Sequence, residues 1–439
     1  MRYLLRPLIL WVQYWPQLAA CYLLGYLGRR GAIELAAWAG YDNDWWASLI
    51  MPLAGLARMA AFIGMFLVLR PAFPVLARYS PRSARQNRHI DVFATIVVPF
   101  FAIYLAWQLF REDWLAFEAR ALMYRIDASV LSPEPTELHP DSIPVGTSTV
   151  VLIVVALAGR YLLSRLADTL PAWMIAVRVY ADALWVFLVL SFSVNRGLTL
   201  LVNPAGWIAE RRIVVWFTST REQLFSHFQP LETAWDTVTW AVRTVFGGAA
   251  VPLMWLAVAS IVYGITLTVN WRDTFHRVSG GQATRVFERA APAQKTLTNR
   301  WSAVPKPLRE KTRDHAVGKL GKFRPIADSA RLILHGGVLA LALYVLGYLG
   351  LAWLDMAGSF YRTQLGDGYL FRGVAWMLGP LPDVVRANFT GTLSLLSHLL
   401  IEPLRICLIA STFAYCLERV ARADEATAAT AAESAPVRP

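Results

Sequence analysis

The residues of this chain with chemical potential are charged groups set where charge is expensive. His398, Glu402 and Arg405 fall inside one long apolar run, four and three residues apart. An α-helix stacks residues at that spacing on one face. A histidine one turn from a carboxylate can relay a proton near neutral pH. An arginine one turn beyond can instead fix that carboxylate as an ion pair. Pro403 sits within the triad, removes one backbone hydrogen bond and favours a kink. The other ionisable groups within apolar runs are Arg58, Arg160 and Asp182. A charge at mid-bilayer costs about 2.5–3.5 kcal/mol, so such groups turn inward and take partners.

The spacing suggests who pairs with whom. Arg160 lies eleven residues before Pro171 and Asp182 eleven after it. Two helices folded at that proline would hold both side chains at similar depth, which predicts an Arg160–Asp182 ion pair. Arg58 has no acid in its own run and needs Glu402, Asp182 or an external anion. Among these groups arginines outnumber acids, and the surplus would suit a lipid phosphate or a carboxylate ligand.

These groups need elements to hold them. Of 439 residues 56% are hydrophobic and only 16% charged, against about a quarter charged in soluble domains. The apolar residues fall in blocks of about 20, the length that crosses about 30 Å of hydrocarbon as a helix. Val150–Leu157 is continuously apolar, without the alternation of a membrane β-strand. Backbone groups in lipid must bond within their own segment, so the runs are read as helices. The expected fold is all-α: a polytopic bundle of about eight spans, with interfacial amphipathic helices on the extracytoplasmic side. The spans are read at about 8–28, 46–69, 92–110, 148–166, 173–194, 247–269, 332–354 and 393–417. Together they make residues 1–420 a single membrane domain. Arg29 and Arg30 follow the first run where a signal peptide would need small residues, so that run reads as uncleaved.

Loop charge gives orientation. Residues 70–91 carry five arginines and one acid, and residues 270–330 carry thirteen basic residues against five acids. Residues 111–147 carry seven acids against three arginines. Basic loops stay in the cytoplasm. Both termini are therefore expected inside, in a cell inner (plasma) membrane, with 111–147 outside. The net charge of +12 belongs to this pattern rather than to nucleic-acid binding. The preference for arginine over lysine hints at a high-GC bacterial genome. Every lysine (Lys295, Lys306, Lys311, Lys319, Lys322) lies in the 270–330 loop. That loop is either orientation charge or a grip on anionic headgroups. Residues 207–245 place Ile213, Trp216, Phe217, Leu224, Phe228 and Leu231 at helical spacing with charges between. They suit helices lying in the interface, and residues 370–386 look like a shorter version. Residues 421–439 are Ala-rich with scattered acids and read as a disordered cytoplasmic tail.

Familiar reaction motifs are absent: no P-loop, no GxSxG, no HExxH. The three cysteines, Cys21, Cys407 and Cys416, show no metal or disulfide spacing. No cofactor and no metal is called for. Asp42-Asn43-Asp44 precedes two tryptophans in the first outer loop. This resembles the acidic first-loop motif of polyprenyl-sugar glycosyltransferases, and the resemblance covers three residues. It would give Asp42 and Asp44 the role of base or metal ligand. Three functions follow as expectations. The first is transport or lipid handling through the buried polar seam. The second is a non-catalytic subunit of an envelope complex, with protein partners. The third is a polyprenyl-sugar-dependent membrane glycosyltransferase.

Overall fold

The computed structural model describes residues 2–41, 44–79, 100–101, 104, 109–131, 147–165, 174–195, 249, 251–264, 336–355, 373, 376–379 and 383–433. These residues are almost entirely helical, and no strand occurs among them. The helices are α1 (Arg2–Gly40), α2 (Asp44–Ile50), α3 (Pro52–Leu69), α4 (Pro74–Tyr79), α5 (Leu109–Leu131), α6 (Thr147–Arg165) and α7 (Met174–Asn195). They continue with α8 (Val251–Tyr263), α9 (Val338–Leu354) and α10 (Asp383–Glu433).

Among the described residues, two helical stretches are long and apolar enough to cross a membrane, Trp45–Ala72 and Gly391–Arg422. Val151–Leu163, Val251–Tyr263 and Leu339–Leu354 are shorter apolar helices. The count of about eight spans is thus met only in part. The first expected span is part of a longer element: α1 runs 39 residues, about 58 Å of helix, because the chain keeps its helical register past Arg29-Arg30, with Ala32, Ile33, Ala36 and Ala37 in the core. The acidic segment expected as an outer loop from residue 111 is instead α5 up to Leu131. Glu112 in its first turn suits the positive end of the helix dipole. The last helix also reaches further than composition suggests. α10 continues to Glu433, carried by alanine, the strongest helix former, through residues expected to be disordered from 421.

Small residues set the closest helix contact. Gly25 and Gly28 of α1 face Ala61 and Ala57 of α3, and a Cβ on Gly25 would overlap the Ala61 methyl. Small side chains at this spacing let two backbones approach where lipid offers no hydrophobic drive. The consequence for chemistry is direct. Arg29 follows Gly28 and Arg58 follows Ala57, so the same contact brings two guanidiniums to one place.

Aromatic rings fill the centre. Trp255 of α8 meets Phe62 of α3 at 5.0 Å between centroids, and Tyr263 links Phe66 at 5.9 Å to Phe413 of α10 at 5.6 Å. Such pairs add about 0.5–1.5 kcal/mol each beyond their burial. The Tyr344 hydroxyl of α9 donates to the Pro252 carbonyl at 2.7 Å, tying α9 to α8.

Polar ties define the ends of the bundle. Arg6 of α1 donates to Glu418 of α10 at 2.8 Å, Arg78 of α4 pairs with Glu425, and Arg419 donates to the Gly336 carbonyl at 3.0 Å. The start of α1, the segment after α3, the start of α9 and the end of α10 therefore share one end. At the other end α5 straps the polar half of α1. Arg120 grips both Glu34 oxygens at 2.7 and 2.8 Å, the Tyr124 hydroxyl adds a bond at 2.7 Å, and Arg125 caps the Tyr41 carbonyl at 2.7 Å. The outer flanks are apolar and bare: Leu24 and Leu27 of α1, Val154, Val155 and Leu162 of α6, and Leu339, Leu346 and Trp353 of α9 are all exposed.

Candidate functional site

Two ionic clusters face each other in the interior. The first is built by α1, α3 and α5. Asp113, fully buried, accepts hydrogen bonds from Arg29, from Arg58 at 2.8 Å and from the Tyr104 hydroxyl. Glu112 adds weaker contacts to Arg29 at 3.2 Å and to Arg58 at 3.4 Å, and is half exposed. Two cations thus meet two anions, and the deepest anion carries three donors.

The second cluster lies where α9 ends against α10. Arg405 donates to Glu402 at 2.5 Å, and its second terminal nitrogen stands 3.6 Å from Asp355. Asp355 accepts from the Ser397 hydroxyl at 3.1 Å and lies 3.3 Å from the His398 Nε2. The Arg405 guanidinium also rests over the Tyr348 ring, 5.3 Å from its centroid. Asp355 takes this place because α9 stops there: its backbone leaves the helix for an extended conformation at the C-cap. Ligand atoms of Asp355, His398 and Glu402 all lie within 4.8 Å of one another, close enough to share a metal ion.

The clusters are at one level. From the Arg6–Glu418 tie, Tyr22 lies sixteen residues along α1 and Glu402 sixteen residues back along α10. Both therefore stand about 24 Å from the tie. Tyr22 feels Glu402 of one cluster and Arg58, Arg29 and Glu112 of the other. His398 and Glu112 likewise act on each other across the gap. The result is one ionic layer, well away from the end that carries the Arg6–Glu418 tie.

Of the residues expected in a polar seam, the structure gathers Arg58, His398, Glu402 and Arg405 into this layer. The His398, Glu402 and Arg405 arrangement follows from helical spacing. Among the described residues Arg58 pairs with Asp113 and Glu112 of α5 rather than with Glu402 or Asp182. Asp182 is buried on α7, while the Arg160 side chain lies outside the described residues, so their pairing does too. The side chains of Asp42 and Asp44, the 207–245 segment and Lys306, Lys311, Lys319 and Lys322 also lie outside the described residues.

Sequence reasoning missed Arg29, Tyr104, Glu112, Asp113, Asp355 and Ser397. From the sequence Arg29 serves only as an argument against signal cleavage, and Glu112-Asp113 belong to an expected outer loop. The available signal was position: each of these acids lies within three residues of the end of an apolar run. Their inclusion reverses the charge balance expected from the sequence. Arg29, Arg58 and Arg405 face Glu112, Asp113, Asp355 and Glu402. Among the described residues three guanidiniums meet four carboxylates, with His398 beside Asp355.

Outside the layer, the Arg120 guanidinium and then the Tyr124 hydroxyl hold the Glu34 carboxyl below its ordinary value. Comparison of the chain with protein-family models, with characterised proteins and with solved structures finds no match.

Proposed function

We propose that this chain is a multi-pass inner-membrane protein of about eight spans, with both termini in the cytoplasm, that transports a solute or handles lipid headgroups through its ionic layer. The observation that carries this reading is the layer itself: two ion clusters, drawn from α1, α3, α5, α9 and α10, set at one depth from the Arg6–Glu418 tie. A bundle that only had to stay folded would be at least as well served by apolar packing there. Buried ionisable groups within membrane segments are costly and mark ion, proton or substrate paths.

Several features support the membrane placement. Two helical stretches have the length and composition of spans. The bare apolar flanks of α1, α6 and α9 suit lipid and not water. The exposed Trp376-Met377-Leu378 segment suits an interface. With the Arg6–Glu418 tie at the cytoplasmic surface, the layer falls near the outer boundary of the roughly 30 Å hydrocarbon slab. That is the place for an outer vestibule rather than a mid-membrane gate.

The test uses the full chain reconstituted in vesicles of mixed zwitterionic and anionic lipid. A trapped pH dye reads proton flux, and a dithionite-quenched fluorescent lipid reads headgroup movement. Wild type should raise one of the two rates above empty vesicles. Glu402→Gln should lose it, and Glu34→Gln, outside the layer, should keep it. Vesicles no more active than empty ones, or full activity in Glu402→Gln, would overturn the reading in favour of a non-catalytic envelope subunit.

A further inference from the structure

We propose that Asp355, His398 and Glu402 form a binding site for one divalent transition-metal ion of the zinc or manganese class. The first ground is convergence. One imidazole nitrogen and two carboxylate oxygens, from the end of α9 and two successive turns of α10, lie within 4.8 Å of one another. Ligands about 2.1 Å from a common ion stand about 3.0–3.5 Å apart, so the triangle closes on an ion by moving each donor about an ångström or less. Pro403 places a flexible joint beside two of the three ligands.

The second ground is an unused donor. Glu402 gives one oxygen to Arg405, while its Oε2 is buried without a hydrogen-bond partner. A buried carboxylate oxygen left bare is costly, and a cation would satisfy it. Charge gives the third ground. Among the described residues the layer carries four carboxylates and three guanidiniums, and the Asp355 carboxylate lies 3.3 Å from the His398 Nε2. A neutral imidazole can coordinate an ion there.

The donor set decides the class. Mixed imidazole and carboxylate ligands favour zinc, manganese or ferrous iron over calcium or magnesium, which take oxygen alone. Three protein ligands leave at least one coordination position open, as in catalytic rather than structural sites. Ser397 and Arg405 would orient the Asp355 and Glu402 carboxylates from behind, the supporting role outer groups play at metal centres. The site is independent of the transport reading, since an ion can bind whether or not anything crosses the layer.

The test uses the full chain purified in detergent through a tag without histidine and stripped with chelator. Calorimetry with Zn2+ or Mn2+ alone should show one site per chain, and Co2+ should give visible bands of low-coordinate cobalt. His398→Ala and Glu402→Gln should each weaken binding by at least about 100-fold, while Glu34→Gln should not. Where a variant fails to fold, Asp355→Asn and the wild-type cobalt spectrum replace it. Octahedral aqua-type cobalt bands in wild type, or unchanged affinity in the folded variants, would overturn the site.

Discussion

Asp113 and Glu112 are neighbours in sequence and bind the same two arginines, yet their removal should differ sharply. Asp113 is fully buried and holds Arg29, Arg58 and Tyr104. Replacing it with asparagine keeps the shape and removes the charge. Arg29 and Arg58, each only 14% exposed, are then left side by side with a half-exposed Glu112. Breaking a buried pair from one side costs about 3–5 kcal/mol, and the slight exposure of both arginines favours the lower figure. Over a chain of 439 residues unfolding with about 2.1 cal/mol/K per residue, 3 kcal/mol lowers Tm by roughly 3 °C. Glu112→Gln disturbs a wetter and longer contact, worth about 1 kcal/mol or less, or roughly 1 °C. Tryptophan fluorescence melts of the detergent-solubilised protein read both. A further variant separates electrostatics from packing: Arg58→Met with Asp113→Leu removes both charges, and the pair should cost less than Asp113→Asn alone. Equal melting of the Asp113 and Glu112 variants, or strict additivity in the double variant, would refute the view that the cluster is held by mutual compensation.

Three other outcomes follow from the same structure. Gly25→Val should destabilise by about 1–3 kcal/mol through overpacking against Ala61. Gly31→Ala meets nothing within 4 Å and should be neutral or gain up to about 1 kcal/mol from helix propensity; paired melts compare them. Tyr344→Phe should cost about 0.5–1.5 kcal/mol by removing the donor to the buried Pro252 carbonyl, again visible as a lowered Tm. The Glu34 contribution depends on pH. Its folded carboxyl titrates below the unfolded value near 4.5, so the Arg120–Glu34 contact stabilises fully above that value and fades as pH falls through the lower folded one. A Tm series from pH 7 downward should show wild type and Glu34→Gln converging only on the acid side of 4.5.

Local spacing made part of the site legible. Glu402 and Arg405 pair because helix geometry brings positions three apart together, and that geometry needs only the sequence. Asp355 had no such signal: it lies at a helix end, and the chain closes forty-two residues of separation to bring it to Ser397. Arg58 shows the other limit. Its buried charge demanded a partner, and the demand was correct, but which acid answered depended on α5 packing against α1. The same holds for length. The apolar run starting α1 is obvious, whereas the stretch beyond Arg29-Arg30 is held by other elements: Ala32, Ile33, Ala36 and Ala37 pack in the core, and Glu34 meets Arg120 and Tyr124.

Those fastenings also make one helix the frame of the described bundle. α1 is anchored at Arg6, Arg29, Glu34 and the Tyr41 carbonyl, to α10 at one end and α5 at the other. A slide of one helical turn, about 5.4 Å, would break every one of those bonds at once, with no second register to catch them. The α6–α7 pair joins the same frame through α7, whose Val179, Ala183 and Phe187 are buried in the central core and whose Tyr180 hydroxyl donates to the Leu49 carbonyl at 2.7 Å.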